Sequence, residues 1–343
     1  MSCFFEDNPE DVQAVVAILK RGGVVAVPTE TVYGLAADAL NPDACRQIFE
    51  IKRRPLIDPL IVHVYDVPQA AALAYFSPLA ERLAQTFWPG PLTLVLPKKS
   101  QVPDLITAGR ETVGLRIPQH PLLQKVLRLS GLPLAAPSAN PFGSLSPTTA
   151  QHVRNSLEAR APYILDGGAC AVGVESTIVD MSRPERPLVL RPGPISADAL
   201  TSVLGVAPLC TSISGTVVSA SIDDGVGGGL PAPGLLSGHY RPRTPLFLLK
   251  KGGVPPEGMR GDRFAWVRFV SEGAFSGSLR GVESYCLSKT GCLAEGARRL
   301  FALLHMLDSL HYTAIYVTEL PNNGMGVAMN DRLQRASVAM NRH

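Results

Sequence analysis

Along the first two hundred positions, apolar residues gather into short runs separated by polar segments with helical character. Val24-Val25-Ala26-Val27 is such a run, closed by Pro28, and predicts a strand buried on both faces. Leu60-Ile61-Val62-His63-Val64, Leu92-Thr93-Leu94-Val95-Leu96 and Gly114-Leu115-Arg116-Ile117 predict further strands, and Leu132-Pro133-Leu134-Ala135-Ala136 leads into Pro137. Helix starts lie between them. Asn41-Pro42-Asp43 offers a side-chain cap, a proline in the first turn and a carboxylate at the positive end of the dipole. Ala44, Ile48 and Ile51 then recur on one face, and Pro55 forbids continuation. Ser146-Pro147-Thr148 reads as the cap of another helix, running to about Leu157. This alternation predicts a compact α/β domain over residues 1–205.

The pattern changes at 206–244. Ser, Thr and Gly crowd together, and Gly225-Val226-Gly227-Gly228-Gly229 precedes Pro231 and Pro233, so a flexible linker is expected. The glycines lack the frame of a phosphate-binding loop. Beyond them, Leu246-Phe247-Leu248-Leu249, Phe264-Ala265-Trp266-Val267 and Ala314-Ile315-Tyr316-Val317 predict strands. Leu300, Leu303, Leu304 and Leu307 mark a helix from Leu293 to about Leu310. A second, smaller α/β domain over 245–343 is expected.

Composition narrows the class. Hydrophobic residues are 46% and charged residues 18% of 343, ample for a core, so wholesale disorder is excluded. No apolar stretch approaches the roughly 18 residues of a membrane span. The N-terminal sequence is acidic rather than basic-then-apolar, which points to the cytoplasm. Cysteines stand at 3, 45, 170, 210, 286 and 292 without a C-x-x-C pair, so reduced, mostly buried thiols are expected and a zinc site is not. Residues 1–205 hold 18 Lys and Arg against 19 Asp and Glu, a net of −1; the remainder hold 14 against 10, a net of +4. Neither half has the dense basic stripe of a nucleic-acid-binding protein, so RNA binding is expected to be weak at most.

Several segments hold more polar chemistry than folding requires. Pro28-Thr29-Glu30-Thr31-Val32-Tyr33-Gly34 follows a strand directly, where ligands of α/β folds sit, although turn capping by its threonines is an equally available reading. Lys52 and Arg54 are either cations settled at a helix C-terminus or a pair converging on a polyphosphate. In Ala136-Pro137-Ser138-Ala139-Asn140-Pro141, two prolines stiffen a loop that presents Ser138 and Asn140. His63, Arg116, Ser176 and Arg191 are polar residues in or beside apolar strands, where an arginine either pairs internally or meets an anionic ligand. No G-x-S-x-G or Cys–His arrangement supplies a nucleophile, which favours chemistry by positioning and charge neutralisation, as in nucleotidyl transfer.

Taken in order, Val27-Pro28-Thr29-Glu30-Thr31-Val32-Tyr33-Gly34-Leu35, Lys52-x-Arg54, Pro59-Leu60-Ile61-Val62-His63, Trp88-Pro89-Gly90-Pro91-Leu92-Thr93, Arg116-Ile117-Pro118 and Pro137-Ser138-Ala139-Asn140 resemble the L-threonylcarbamoyladenylate synthases, the YrdC-like family. His239-Tyr240-x-Pro242 and Gly326-Val327-Ala328-Met329-Asn330-Asp331-Arg332-Leu333 are similar to the linker and C-terminal signatures of its long form. The resemblance implies a YrdC-like twisted mixed α/β domain followed by a Rossmann-like one. It also implies ATP-dependent condensation of L-threonine with bicarbonate, giving threonylcarbamoyl-AMP and pyrophosphate. The product would pass to a tRNA threonylcarbamoyltransferase for modification of the adenosine beside the anticodon.

By motif, threonine would meet Thr31, His63, Arg116 and Ser176. ATP would meet Lys52, Arg54, Asp58, Thr112, Ala136, Ser138, Asn140, Ser146 and Arg191. Lys52 and Arg54 would act catalytically, Tyr240 would close over the nucleotide, and Mg²⁺ would accompany ATP with no protein ligand assigned. Asp58 departs from the family, which carries asparagine before Pro-Leu; a carboxylate there repels ATP unless it is paired or bridged by metal. A hydrogenase-maturation enzyme with a YrdC-like domain would bring C-x-x-C motifs, which are absent from this chain, and a non-catalytic RNA-binding module is disfavoured by the modest charge.

Overall fold

In the computed structural model, residues 9–211, 229–236, 238–259, 261–270 and 279–338 are described. The acidic N-terminal stretch with Cys3, the glycine run at 225–228 and Ser237 lie outside them.

The strands are β1 (Val25–Val27), β2 (Gly34–Asp38), β3 (Ile61–His63), β4 (Leu92–Pro97), β5 (Thr112–Arg116), β6 (Leu134–Ala135), β7 (Tyr163–Ile164), β8 (Thr177–Asp180), β9 (Leu188–Arg191) and β10 (Leu209–Cys210), then β11 (Leu246–Leu249), β12 (Phe264–Arg268), β13 (Val282–Cys286) and β14 (Ala314–Thr318). The helices are α1 (Pro9–Lys20), α2 (Pro42–Lys52), α3 (Val67–Leu73), α4 (Pro78–Phe87), α5 (Asp104–Thr107), α6 (Pro121–Ser130), α7 (Ala150–Leu157), α8 (Ala197–Leu204), α9 (Leu293–Ser309) and α10 (Met325–Ala336).

The first ten strands form one mixed sheet in the order β10-β9-β8-β4-β5-β3-β6-β2-β1-β7. Strand alternation sorts its residues between two cores. Val25, Val27 and Ala36 join Val12, Val15 and Leu19 of α1 and Leu123, Val126 and Leu127 of α6. Ala26, Leu35 and Ala37 join Ile48 of α2, Leu83 of α4 and Val153 of α7 on the other side. Further along the sheet, Ile61, Val95, Ile178 and Leu190 are covered by Ala232 and Leu235, so this described part of the linker lies on the sheet. The remaining four strands form a fully parallel sheet, β11-β14-β12-β13, with α9 and α10 against it. Among the described residues no helix is long and apolar enough to cross a membrane.

Two local expectations change. The cap of α7 is Thr149, whose hydroxyl accepts from the His152 N–H; Ser146 instead bonds Glu175. The cap thus lies three residues past Ser146, at Thr149, whose extended backbone (φ −142, ψ 159) lets its side chain reach the His152 N–H. Cys45 and Cys170 are buried, but Cys210 and Cys292 are exposed, one on the edge strand β10 and one immediately before α9. The segment after Gly34 is a strand, β2, antiparallel to β1 in a tight register of Val27 with Gly34.

Candidate active site

Strand register brings the first polar residues together. β3 and β5 run parallel with His63 beside Arg116, so two polar side chains meet where each strand ends. Arg191 closes β9 opposite Ile178 of β8, one residue beyond the bulge and two from Ser176. With Thr29, Thr31, Arg54, Ala136, Ser138, Glu175, Pro233, Gly234, His239 and Tyr240 these line a cavity holding about 560 Å³ of empty space, part of it open to solvent. Strand C-terminal ends, a rigid loop and the linker thus share one concavity.

Each arginine is gripped from behind. Arg116 donates through Nε to Gly90 O at 3.1 Å and through Nη1 to Thr31 Oγ1 at 3.0 Å, and Nη2 lies 2.6 Å from Glu30 Oε1. Arg191 donates to Ser176 O at 3.1 and 3.2 Å, to Ser176 Oγ at 3.2 Å and to Pro233 O at 3.3 Å. Arg54 donates through Nε to Asp58 O at 3.0 Å and through Nη2 to Pro59 O at 2.7 Å, with Asp58 Oδ2 at 3.0 Å. Burial disfavours charge on Arg54 and Arg191 and pulls both below the ordinary arginine value. Burial, followed by the field of Arg116, pushes His63 down to about 3, so it presents a neutral imidazole.

Thr29 and Thr31 divide the two readings of their loop. Thr29 Oγ1 accepts from the N–H groups of Thr31 and Val32 and donates to Val32 O, which is turn capping. Thr31 spends its oxygen on Arg116.

Four residues of the expected nucleotide set lie behind the cavity wall. Lys52 is 1% exposed; its ammonium donates to Ser138 O and, at 2.6 Å, to Asn140 O, tying α2 to the Ser138–Asn140 loop. The Asn140 amide donates to Pro141 O and Ser144 O. Ser146 Oγ donates to Glu175 Oε1 at 2.5 Å, and Asp58 is wholly buried against Arg54. Thr112 lines a separate, smaller cavity beneath Pro231, Ala232 and Pro233. Helix position and the K-x-R spacing place Lys52 and Arg54 close together, but only Arg54 reaches the cavity.

Sequence reasoning passed over Glu30, Glu175 and His239. Carboxylates are unexpected in an anion site, yet each sits against an arginine. Glu175 is the hinge of the whole assembly: Arg332 of α10 donates to it at 2.9 Å and to Pro192 O at 2.6 Å. Arg332 also lies 3.0 Å from Asp331, which in turn holds Arg335, and Arg335 donates to Leu235 O at 2.6 Å. Tyr240 adopts a left-handed backbone at φ 62 and rests between Phe301 of α9 and the guanidinium of Arg332. The second half of the chain therefore supports the wall and the linker of the cavity in the first.

Fold and cavity together define a two-part α/β protein that gathers arginines and hydroxyls around one cavity. Comparison with known proteins identifies which. A family described as "Telomere recombination" matches residues 17–193, and one described as "Threonylcarbamoyl-AMP synthase, C-terminal domain" matches 195–338. Threonylcarbamoyl-AMP synthase of Pyrococcus abyssi is 37% identical over 332 residues, covering 95% of this chain and 94% of that one. The synthase of Bacillus subtilis is 37% identical over 340 residues, covering 96% and 94%. A crystal structure of P. abyssi Sua5 complexed with L-threonine superposes with a TM-score of 0.83 at 33% identity, covering 98% and 97%. The chain belongs to the threonylcarbamoyl-AMP synthase family.

Proposed function

We propose that this chain makes L-threonylcarbamoyl-AMP and pyrophosphate from L-threonine, bicarbonate and ATP. The observation that carries the reading is the convergence of three buried arginines, Arg54, Arg116 and Arg191, from separate elements on one cavity in a chain of this family. Arg116 takes the threonine carboxylate, with Thr31, His63 and Ser176 around the amine and hydroxyl. Arg54, Arg191, Ser138 and the backbone at Ala136 receive the triphosphate, and Tyr240 covers it. Lys52, Asn140 and Ser146 act from behind, fixing the loops that carry these groups, and Thr112 borders the linker-covered extension of the site.

The threonine amine attacks the bicarbonate carbon and water leaves, giving a carbamate. A carbamate oxygen then attacks the α-phosphorus of ATP and pyrophosphate departs with the bond's electron pair. Both partners in the second step are anions, so fixed guanidinium groups lower the barrier by neutralising charge and aligning the reactants. Exclusion of water protects the mixed anhydride, which the linker over the cavity favours. A buried partner for the threonine hydroxyl discriminates against analogues lacking it more strongly than apolar contact does.

Mg²⁺ is proposed to arrive with ATP. Among the described residues no three His, Cys, Asp or Glu side chains gather into a metal cage, and Glu30, Asp58 and Glu175 each lie against an arginine. These residues do not build a protein site for the ion, and none of the steps above runs through it. The product would pass to a tRNA threonylcarbamoyltransferase in the cytoplasm, with RNA binding by this chain weak at most.

The test is incubation of the chain with ATP, Mg²⁺, bicarbonate and one amino acid at a time, with pyrophosphate and the adenylate measured by mass. Pyrophosphate release that requires both threonine and bicarbonate is the expected result. Release indifferent to threonine would assign another specificity, and no turnover with RNA retained at physiological salt would replace the enzyme reading by a binding one.

A further inference from the structure

We propose that Arg332, supplied by the second half of the chain, is a positioning residue that holds the Glu175 carboxylate away from Arg191 and so keeps that guanidinium open to an anionic ligand. The inference rests on the triphosphate reading given above and names what the second half contributes to that site.

A carboxylate on the wall of an anion-binding cavity calls for a reason. Glu175 lines the cavity together with Arg191 and is 6% exposed. The two are neighbours through Ser176: Arg191 donates to Ser176 O at 3.1 and 3.2 Å and to Ser176 Oγ at 3.2 Å. A buried carboxylate beside a buried guanidinium ordinarily closes on it. Among the described residues no ion pair joins Glu175 to Arg191. Both carboxylate oxygens are engaged elsewhere: Ser146 Oγ donates to Oε1 at 2.5 Å, and Arg332 Nε donates to Oε2 at 2.9 Å.

Arg332 can restrain the carboxylate because it is itself fixed. It is 1% exposed, and its Nη1 donates to Pro192 O at 2.6 Å and to Asp331 Oδ2 at 3.0 Å. Pro192 follows Arg191 and Glu175 precedes Ser176, so one guanidinium from α10 ties the exit of β9 to the entry of β8. The planar fork of arginine can serve both at once, whereas a lysine offers a single point charge. Burial pushes Glu175 up, but Arg332 first, then Arg191 and the Ser146 hydroxyl, carry it below the ordinary carboxylate value. The group therefore stays ionised, and once released it would pair with Arg191. A guanidinium already paired to Glu175 must break that pair before it takes a phosphate oxygen. One held by carbonyls and a hydroxyl keeps its charge unmatched.

Calorimetry with ATP alone and with L-threonine alone reads this shielding without turnover, on the wild type, Arg332→Met, Glu175→Gln and the double variant. Arg332→Met is expected to weaken ATP binding about tenfold and to leave threonine within about twofold, because Arg116 takes no part in the exchange. Glu175→Gln removes the competing charge, so it should bind ATP about threefold more tightly than the wild type. In the double variant ATP binding should return to within about threefold of the wild type. Equal loss of both ligands in Arg332→Met, weaker ATP binding in Glu175→Gln, or a double variant no better than Arg332→Met would overturn the proposal. If Arg332→Met does not fold, Glu175→Gln and Arg332→Lys decide the question, the lysine variant weakening ATP about threefold with threonine unchanged. A ligand-free crystal structure of whichever Arg332 variant folds gives a reading independent of the reaction. The Glu175 carboxylate should stand within about 4 Å of a guanidinium nitrogen of Arg191, and a carboxylate still held by Ser146 overturns the proposal. A wild type that binds neither ATP nor threonine refutes the proposed reaction, and that crystal structure still decides for or against the shield.

Discussion

Arg54 and Arg332 are both buried arginines, yet they sit in opposite electrostatic situations. Arg332, between the two halves, touches Glu175, Asp331 and Pro192 O; burial works against its charge, but Tyr240, Glu175 and Asp331 outweigh it and raise its pKa. Arg54, on the cavity, has one carboxylate and two carbonyls, and burial wins, lowering its pKa. Arg191 follows Arg54, with carbonyls and a hydroxyl in direct contact. A fully matched arginine is a structural joint. An under-matched one, held rigid by carbonyls, suits the anion-binding role proposed for it.

Removing each kind should therefore fail differently. Arg332→Ala strands Glu175 and Asp331 without their cation and should cost about 3–5 kcal/mol of stability, read by denaturant unfolding; a loss below about 1 kcal/mol would remove it from the joint class. Arg191→Ala should reduce kcat about 10²–10³-fold with a much smaller change in melting temperature, because its direct partners are carbonyls and a hydroxyl and its removal strands no carboxylate. A large stability loss there would erase the contrast.

Acid sharpens the comparison further. His63 and His239 have folded-state values of about 3, below the unfolded value, so the unfolded chain takes up protons first as pH falls below about 6.5. Their contribution is fully present at neutral pH and declines on acidification, at most about 2 kcal/mol per histidine by pH 5. Glu175 opposes burial through Arg332 and Arg191 and stays below the ordinary carboxylate value, so its contribution is lost only at still lower pH, below about 4.5. Urea unfolding at pH 7, 6 and 5 should show the decline, and His63→Gln should flatten it. The smallest expected effect is Gly234→Ala. This glycine has φ +80, and a Cβ on it would stand 2.5 Å from Tyr240 Oη and 3.2 Å from Arg191 Nη1, so the substitution should loosen the linker by about 1 kcal/mol. Faster hydrogen exchange at the Arg241 amide with unchanged global stability is the signature to look for.

Most of the sheet was legible because its central strands are continuous apolar runs; Leu246–Leu249 falls on the predicted residues, and β1, β3, β4, β12 and β14 within one or two. What escaped were elements held by context. β7 and β10 are two residues long and are defined by pairing with a neighbouring strand, and β13 is largely polar and sits at the edge of its sheet. The cationic part of the site was legible because arginine in an apolar strand demands an explanation. Its acidic part was not: Glu30 and Glu175 look like repulsive neighbours for an anion until register shows each beside a guanidinium. Lys52 illustrates the limit of spacing, since the turn of α2 that puts it two residues from Arg54 also buries its ammonium against two carbonyls.

The apolar cluster beneath α9 does not respect the division between the halves. Val32, Leu145 and Val174 from the first half share it with Leu300, Phe301 and Leu304 from the second, and Gly173 lies so close to α9 that a Cβ there would come within 2.5 Å of Arg298 Cα. Severing the chain near residue 205 would lay that patch bare to water. The amino-terminal piece would then be a sticky fragment rather than a smaller enzyme, and the intact chain should melt in a single calorimetric transition as one cooperative body.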